Sequence, residues 1–118
     1  MSFEERLEEL RSRVEGAQAV CIVADDGILV ESAGGEDVDL EAIAAEVVTQ
    51  VRNLGDAQRG LGVGPVREMA FRTERYTILL GSLPEGHYLV MVLSADVPQG
   101  RARFEVRRAP LVLEDEWL

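Results

Sequence analysis

Ala19-Val20-Cys21-Ile22-Val23-Ala24, followed by the turn Asp25-Asp26-Gly27 and a second run Ile28-Leu29-Val30-Glu31-Ser32, decides the architecture of this chain. The first run is unbroken, apolar and rich in β-branched residues, so it reads as a strand buried on both faces. The turn carries Gly where a tight hairpin needs positive φ. Gly34-Gly35 ends the second strand, and Asp37 or Asp39 then caps a helix. Its apolar positions Leu40, Ile43, Ala44, Val47, Val48, Val51 and Leu54 recur at helical spacing, although Val47-Val48-Thr49 has poor helix propensity. A strand apolar on both faces requires cover on both sides of its sheet.

Outward from this stretch, Ser2-Phe3-Glu4-Glu5 fits a capping box, and Phe3, Leu7, Leu10 and Val14 form one narrow helical stripe that ends at Gly16. Glu9 and Arg13 pair at i,i+4 outside it. Ala57 to Pro65, with Gly60, Gly62 and Gly64, reads as a loop. Val66 to Thr73 alternates as an edge strand, with Met69 and Phe71 on one face and Glu68, Ala70 and Arg72 on the other. Tyr76 to Leu83 follows, and Pro84-Glu85-Gly86-His87 turns the chain into Tyr88 to Leu93, again apolar on both faces. Arg101 to Arg107 alternates like a strand, yet Ala102, Val106 and Ala109 also fit a helix begun at Asp96 and Pro98. Pro110 is expected to end whichever forms, before an acidic tail with Trp117. The expected class is α+β, one domain over residues 1–118: a five-stranded antiparallel sheet with helices on both faces, order α-β-β-α-β-β-β-α. The first and fifth strands are expected side by side at its centre.

The 118 residues carry 22 acids against 12 bases, all of them Arg. Residues 1–58 hold 14 acids and four bases, so the net charge of −10 sits in that half. Such a surface disfavours nucleic acid and anionic lipid, and no apolar run is long enough to span a membrane. With no secretory signal and one cysteine, the chain reads as cytoplasmic, without a disulfide of its own.

In the order and spacing of its parts the chain resembles the roadblock (dynein light chain roadblock) family, in particular its small prokaryotic MglB-like members. The resemblance rests on the Leu7/Leu10 helix, Val20 to Ala24 with Asp26-Gly27, the helix Leu40 to Leu54, Glu85-Gly86-His87-Tyr88-Leu89-Val90, and Gly100-Arg101-Ala102-Arg103. It implies a profilin-like layered fold, a terminal helix over Gln99 to Ala109, and dimers in which edge strands and the central helix meet across the dyad. It also implies a regulator or scaffold rather than an enzyme, with a small Ras-like GTPase as partner.

Ala42, Ala45 and Thr49 form a stripe of small residues opposite the apolar face of the central helix. Small side chains let helices approach closely, but Ala is equally the best helix former on a solvated surface. The expected partner-binding residues are Glu41, Ala42, Ala45, Glu46, Thr49 and Arg52. No catalytic, cofactor-binding or metal-binding residue is assigned. Gly60 to Gly64 lacks the lysine of a phosphate loop and leads into a strand. His87 and Cys21 are too few for a metal site, Cys21 has no electropositive neighbour, and none of the arginines stands out as a finger. Asp25-Asp26 and Glu114-Asp115-Glu116 suit a turn and a solvated tail. The alternative function is a small-ligand sensory or structural adaptor domain of the same fold, which few aromatics and no convergent polar cluster disfavour.

Overall fold

A computed structural model describes residues 2–114. The chain folds as α1 (Phe3–Ser12), β1 (Ala17–Ala24), β2 (Leu29–Gly34), α2 (Leu40–Gln58), β3 (Glu68–Arg72), β4 (Tyr76–Leu83), β5 (His87–Ser94) and α3 (Gly100–Val112). All neighbouring strands are antiparallel, in the order β2-β1-β5-β4-β3. β1 and β5 are the central pair, with Cys21 opposite Val90 and Ile22 opposite Leu89.

The two-faced burial of β1 sorts the core into two layers. Val20 and Ile22 pack with Leu89, Met91 and Leu93 under α1 and α3. Ala19, Cys21 and Val23 pack with Val90 and Val92 under Ala44, Val47, Val48 and Val51 of α2. The capping box closes as the sequence implies: Glu5 N–H donates to Ser2 Oγ at 3.2 Å. Asp39, not Asp37, caps α2 by accepting from Ala42 N–H at 3.2 Å. Gly27 sits at φ +87°, and its N–H donates to the Ala24 carbonyl at 2.9 Å to close the first hairpin. The two sheet edges differ. β2 is bulged opposite Ile22/Val23, whereas β3 pairs with β4 in unbroken register.

Four details depart from expectation. α1 stops at Ser12 rather than Gly16, and a turn carries the chain on, with Val14 still buried. α2 runs on to Gln58, and Leu54 is 45 % exposed instead of buried. Asp96 and Pro98 do not begin α3; its N-cap is Gln99, with no side-chain cap. Pro110 lies inside α3 and does not end it. A proline this close to a helix end removes a single bond, and burial of Leu113, which donates to the Ala109 carbonyl at 2.9 Å, offsets that loss. The acidic tail beyond Glu114, with Trp117, falls outside the described residues.

α3 also carries Glu105, 1 % exposed, where Arg101 (3.1 Å), Arg108 (3.4 Å) and Arg13 (3.8 Å) converge. Arg13 follows α1, so this carboxylate ties the two helices of one layer together. β4 meets α3 at Gly81, where an added Cβ would lie 2.5 Å from Val106 Cγ1. Gly81→Ala is therefore expected to force α3 off the sheet and cost about 1–3 kcal/mol. Urea unfolding checks this, and an unchanged midpoint would contradict the close packing.

Candidate partner-binding surface

α2 owes its position to Ala44, Val48 and Val51, which seat it over β1 and β5. One side of its outer surface therefore overhangs β4 and β3, which no helix covers on that face. Ile43 of α2 and Phe71 and Ile78 of the sheet stay only half-buried there. Between them runs a groove of about 360 Å³, lined by Ala42, Ile43, Glu46, Gln50, Phe71 and Ile78 among others. Its floor ends at β3, the edge with the unbroken ladder. An apolar groove beside an open strand edge is the arrangement that a second polypeptide satisfies, by burial and by ladder hydrogen bonds together.

The six residues expected to bind a partner are all exposed on α2, but they do not point one way. Ala42 and Glu46 line the groove beside β3. Ala45 faces the first hairpin turn, its Cα 3.6 Å from where a Cβ on Gly27 would stand. Arg52 donates to the Asp25 carbonyl in that same turn. Thr49 donates to the Ala45 carbonyl at 2.9 Å, and Glu41 stands in the first turn of the helix. The sequence reading missed Ile43, Phe71 and Ile78 as surface features, because apolar periodicity marks a face without telling how far its cover extends.

A larger cleft, about 680 Å³, opens at the C-terminal end of α2 between Asp25, Arg52, Asp56, Arg59, Val66 and Tyr88 among others. Its two arginines engage the Asp25 carbonyl and the Asp56 carboxylate. The glycine loop beside it carries Leu61 and Val63, 73 % and 71 % exposed, and enters β3 rather than a helix. His87 Nδ1–H donates to the Glu85 carbonyl at 2.9 Å. Among the described residues, no group of three or more His, Cys, Asp or Glu stands where it could share a metal ion. No helix among them is long and apolar enough to cross a membrane.

Burial pushes the Cys21 thiol up to about 12. At pH 8 almost none of it is thiolate, the form that attacks a disulfide reagent. Cys21 is accordingly expected to react only after denaturation with urea. Rapid labelling of the folded protein would contradict its place in the core. Since the folded thiol titrates above the unfolded one, its contribution to stability is full at neutral pH. It fades as pH rises from about 8.5 toward the folded value.

An antiparallel sheet of five strands between a helical pair and a single helix, with an uncovered strip beside an open edge, defines a small profilin-like α+β module. The chain belongs to the Roadblock/LC7 family, whose domain matches residues 3–93. Among solved structures, a Roadblock/LC7 domain from Streptomyces avermitilis superposes with a TM-score of 0.87 at 14% identity, over 99% of this chain and 98% of that one. Myxococcus xanthus MglB gives 0.84 at 17% identity, over 97% and 93%. MglC from Myxococcus xanthus gives 0.70 at 30% identity, over 98% and 99%. Among curated proteins, none matches the chain in sequence.

Proposed function

We propose that this protein is a homodimeric, non-enzymatic regulator or scaffold that acts on a small Ras-like GTPase in the cytoplasm. The observation that carries the reading is the groove between α2 and β3, which ends at the unbulged sheet edge. A twofold mate would continue the sheet at β3 and lay its own α2 beside Ile43 and Phe71, an isologous contact of a few hundred to about 800 Å² per subunit. The likeness to MglB and MglC supports a regulatory place in a GTPase pathway, since the roadblock resemblance implies such partners.

In this arrangement the six α2 residues divide their work. Ala42 and Glu46 lie at the dyad, and Glu41, Ala45, Thr49 and Arg52 form the platform for the GTPase. Switch loops are ordered by the γ-phosphate, so a platform that prefers one switch state shifts the equilibrium between them. The protein would supply no reacting group of its own.

Light scattering, alone and with a Ras-like GTPase from the same organism, tests both halves. A dimer is expected at micromolar concentration, and Phe71→Glu is expected to yield a folded monomer. Glu41→Arg with Thr49→Arg is expected to leave the dimer intact and weaken GTPase binding about tenfold or more. A monomeric wild type would overturn the dimer; unchanged affinity of the double variant would overturn the platform. The cleft at the end of α2 favours a second reading, a small-ligand sensor, because its volume lies in the range of ligand sites. A metabolite that raises the melting temperature would decide for that reading.

A further inference from the structure

A second strip of exposed apolar side chains runs along the outer side of α3, on the sheet face opposite α2. Phe104 is 55 % exposed and Leu111 73 % exposed, seven residues apart and therefore on one line of the helix. Arginines flank that line on both sides. Toward α1, Arg101 and Arg108 lie over the Phe104 ring, with their guanidinium carbons 5.6 and 6.0 Å from its centroid. Toward β3, Arg107 is paired with Glu68 at 2.6 Å and Arg103 with the Gln99 side chain at 3.1 Å. The two acids of this helical stretch are Glu105, buried beneath it, and Glu114. A cationic, partly apolar ridge thus stands on a chain whose net charge is −10.

We propose that this ridge docks an acidic amphipathic helix of another protein. Its apolar side chains would cover Phe104 and Leu111, and its carboxylates would meet the arginines on either flank. Charge complementarity argues for acid. The acidic helix beside the ridge argues for a narrow occupant, a helix. α1 shares this layer of the fold and exposes Glu4, Glu5 and Glu8, so a bilayer or a nucleic acid wide enough to cover both helices would meet like charge. A single helix, about 10 Å across, can follow α3 alone. Phe104 and Leu111 repeat at seven residues along one line of α3, the spacing at which a second helix with the same repeat can lie alongside. Arg101 and Arg108 are already held between the Phe104 ring and the buried Glu105 carboxylate, so little side-chain freedom is lost on docking. Because α2 lies across the sheet, this surface can be occupied while the α2 face is engaged.

Fluorescence anisotropy on the full chain tests the proposal. The probe is a labelled Glu-rich helical peptide with two leucines seven residues apart, and its counterpart has every Glu replaced by Gln. The acidic peptide is expected to bind, to weaken as salt rises, and to lose affinity about tenfold or more in Phe104→Ser/Leu111→Ser. Glu41→Arg/Thr49→Arg is expected to leave its affinity unchanged. Should the serine variant melt early, Arg103→Glu, which gives up exposed contacts with Gln99 and Glu68 and none with the core, carries the same comparison. Four results would each overturn the proposal: no binding of the acidic peptide, equal binding of the Gln peptide, equal binding by the serine variant or, in its place, Arg103→Glu, or tighter binding to phosphatidylserine vesicles or single-stranded RNA. Self-association of the protein that the serine variant abolishes would assign the ridge to a second copy and overturn it as well.

Discussion

The pairing of β1 with β5 is the constraint from which the rest of the molecule follows. Both strands are apolar at successive positions, so each face of the sheet carries a row of side chains that water must not reach. One face is closed by two helices, α1 and α3, locked to each other through Glu105. The other is closed by one. A single helix about 10 Å wide cannot cover five strands set about 4.8 Å apart. The uncovered strip beside β3 is therefore a geometric consequence of the layer count. Pairing with a second copy at β3, as proposed above, would cover that strip.

How much of this was legible depended on which physical signal each residue carried. The strand pattern of Val20 to Ala24 and Tyr88 to Leu93 was legible because apolarity on both faces has one structural meaning. Ser2 with Glu5 was legible because capping is local chemistry, whereas the choice between Asp37 and Asp39 waited on the path of the chain into α2. Pro110 and Leu54 misled for the same reason in opposite directions. A proline near a helix end is weighed against burial of Leu113 three residues on, and an apolar residue is buried only if something lies beneath it. Both answers depend on tertiary placement, which periodicity does not carry. Arg101 to Arg107 fitted strand and helix alike. Its resolution as a helix leaves Phe104 on an exposed crest while Ala102, Val106 and Ala109 face the core.

The candidate site shows the same division. That Glu41, Ala42, Ala45, Glu46, Thr49 and Arg52 avoid the core followed from spacing alone. That Arg52 turns back to Asp25, while Ala42 and Glu46 lean over β3, required the path of the hairpin and the reach of the sheet. Charge is distributed to match. Acid predominates on α1 and on the outer side of α2, and base gathers on α3. The face that holds α1 and α3 thus carries both signs side by side, acid on α1 and base on α3, while the outer side of α2 across the sheet is acidic.

The central claim is that β3 is an edge completed by a second copy of the chain. Amide hydrogen exchange of β3 measures this most directly, since among the described residues β4 is the one strand that pairs with it, leaving its other edge open. The account predicts that the amides on that open edge between Glu68 and Arg72 are protected at micromolar concentration and lose protection on dilution or in Phe71→Glu. Exchange at the rate of an open strand edge, independent of concentration, would contradict it.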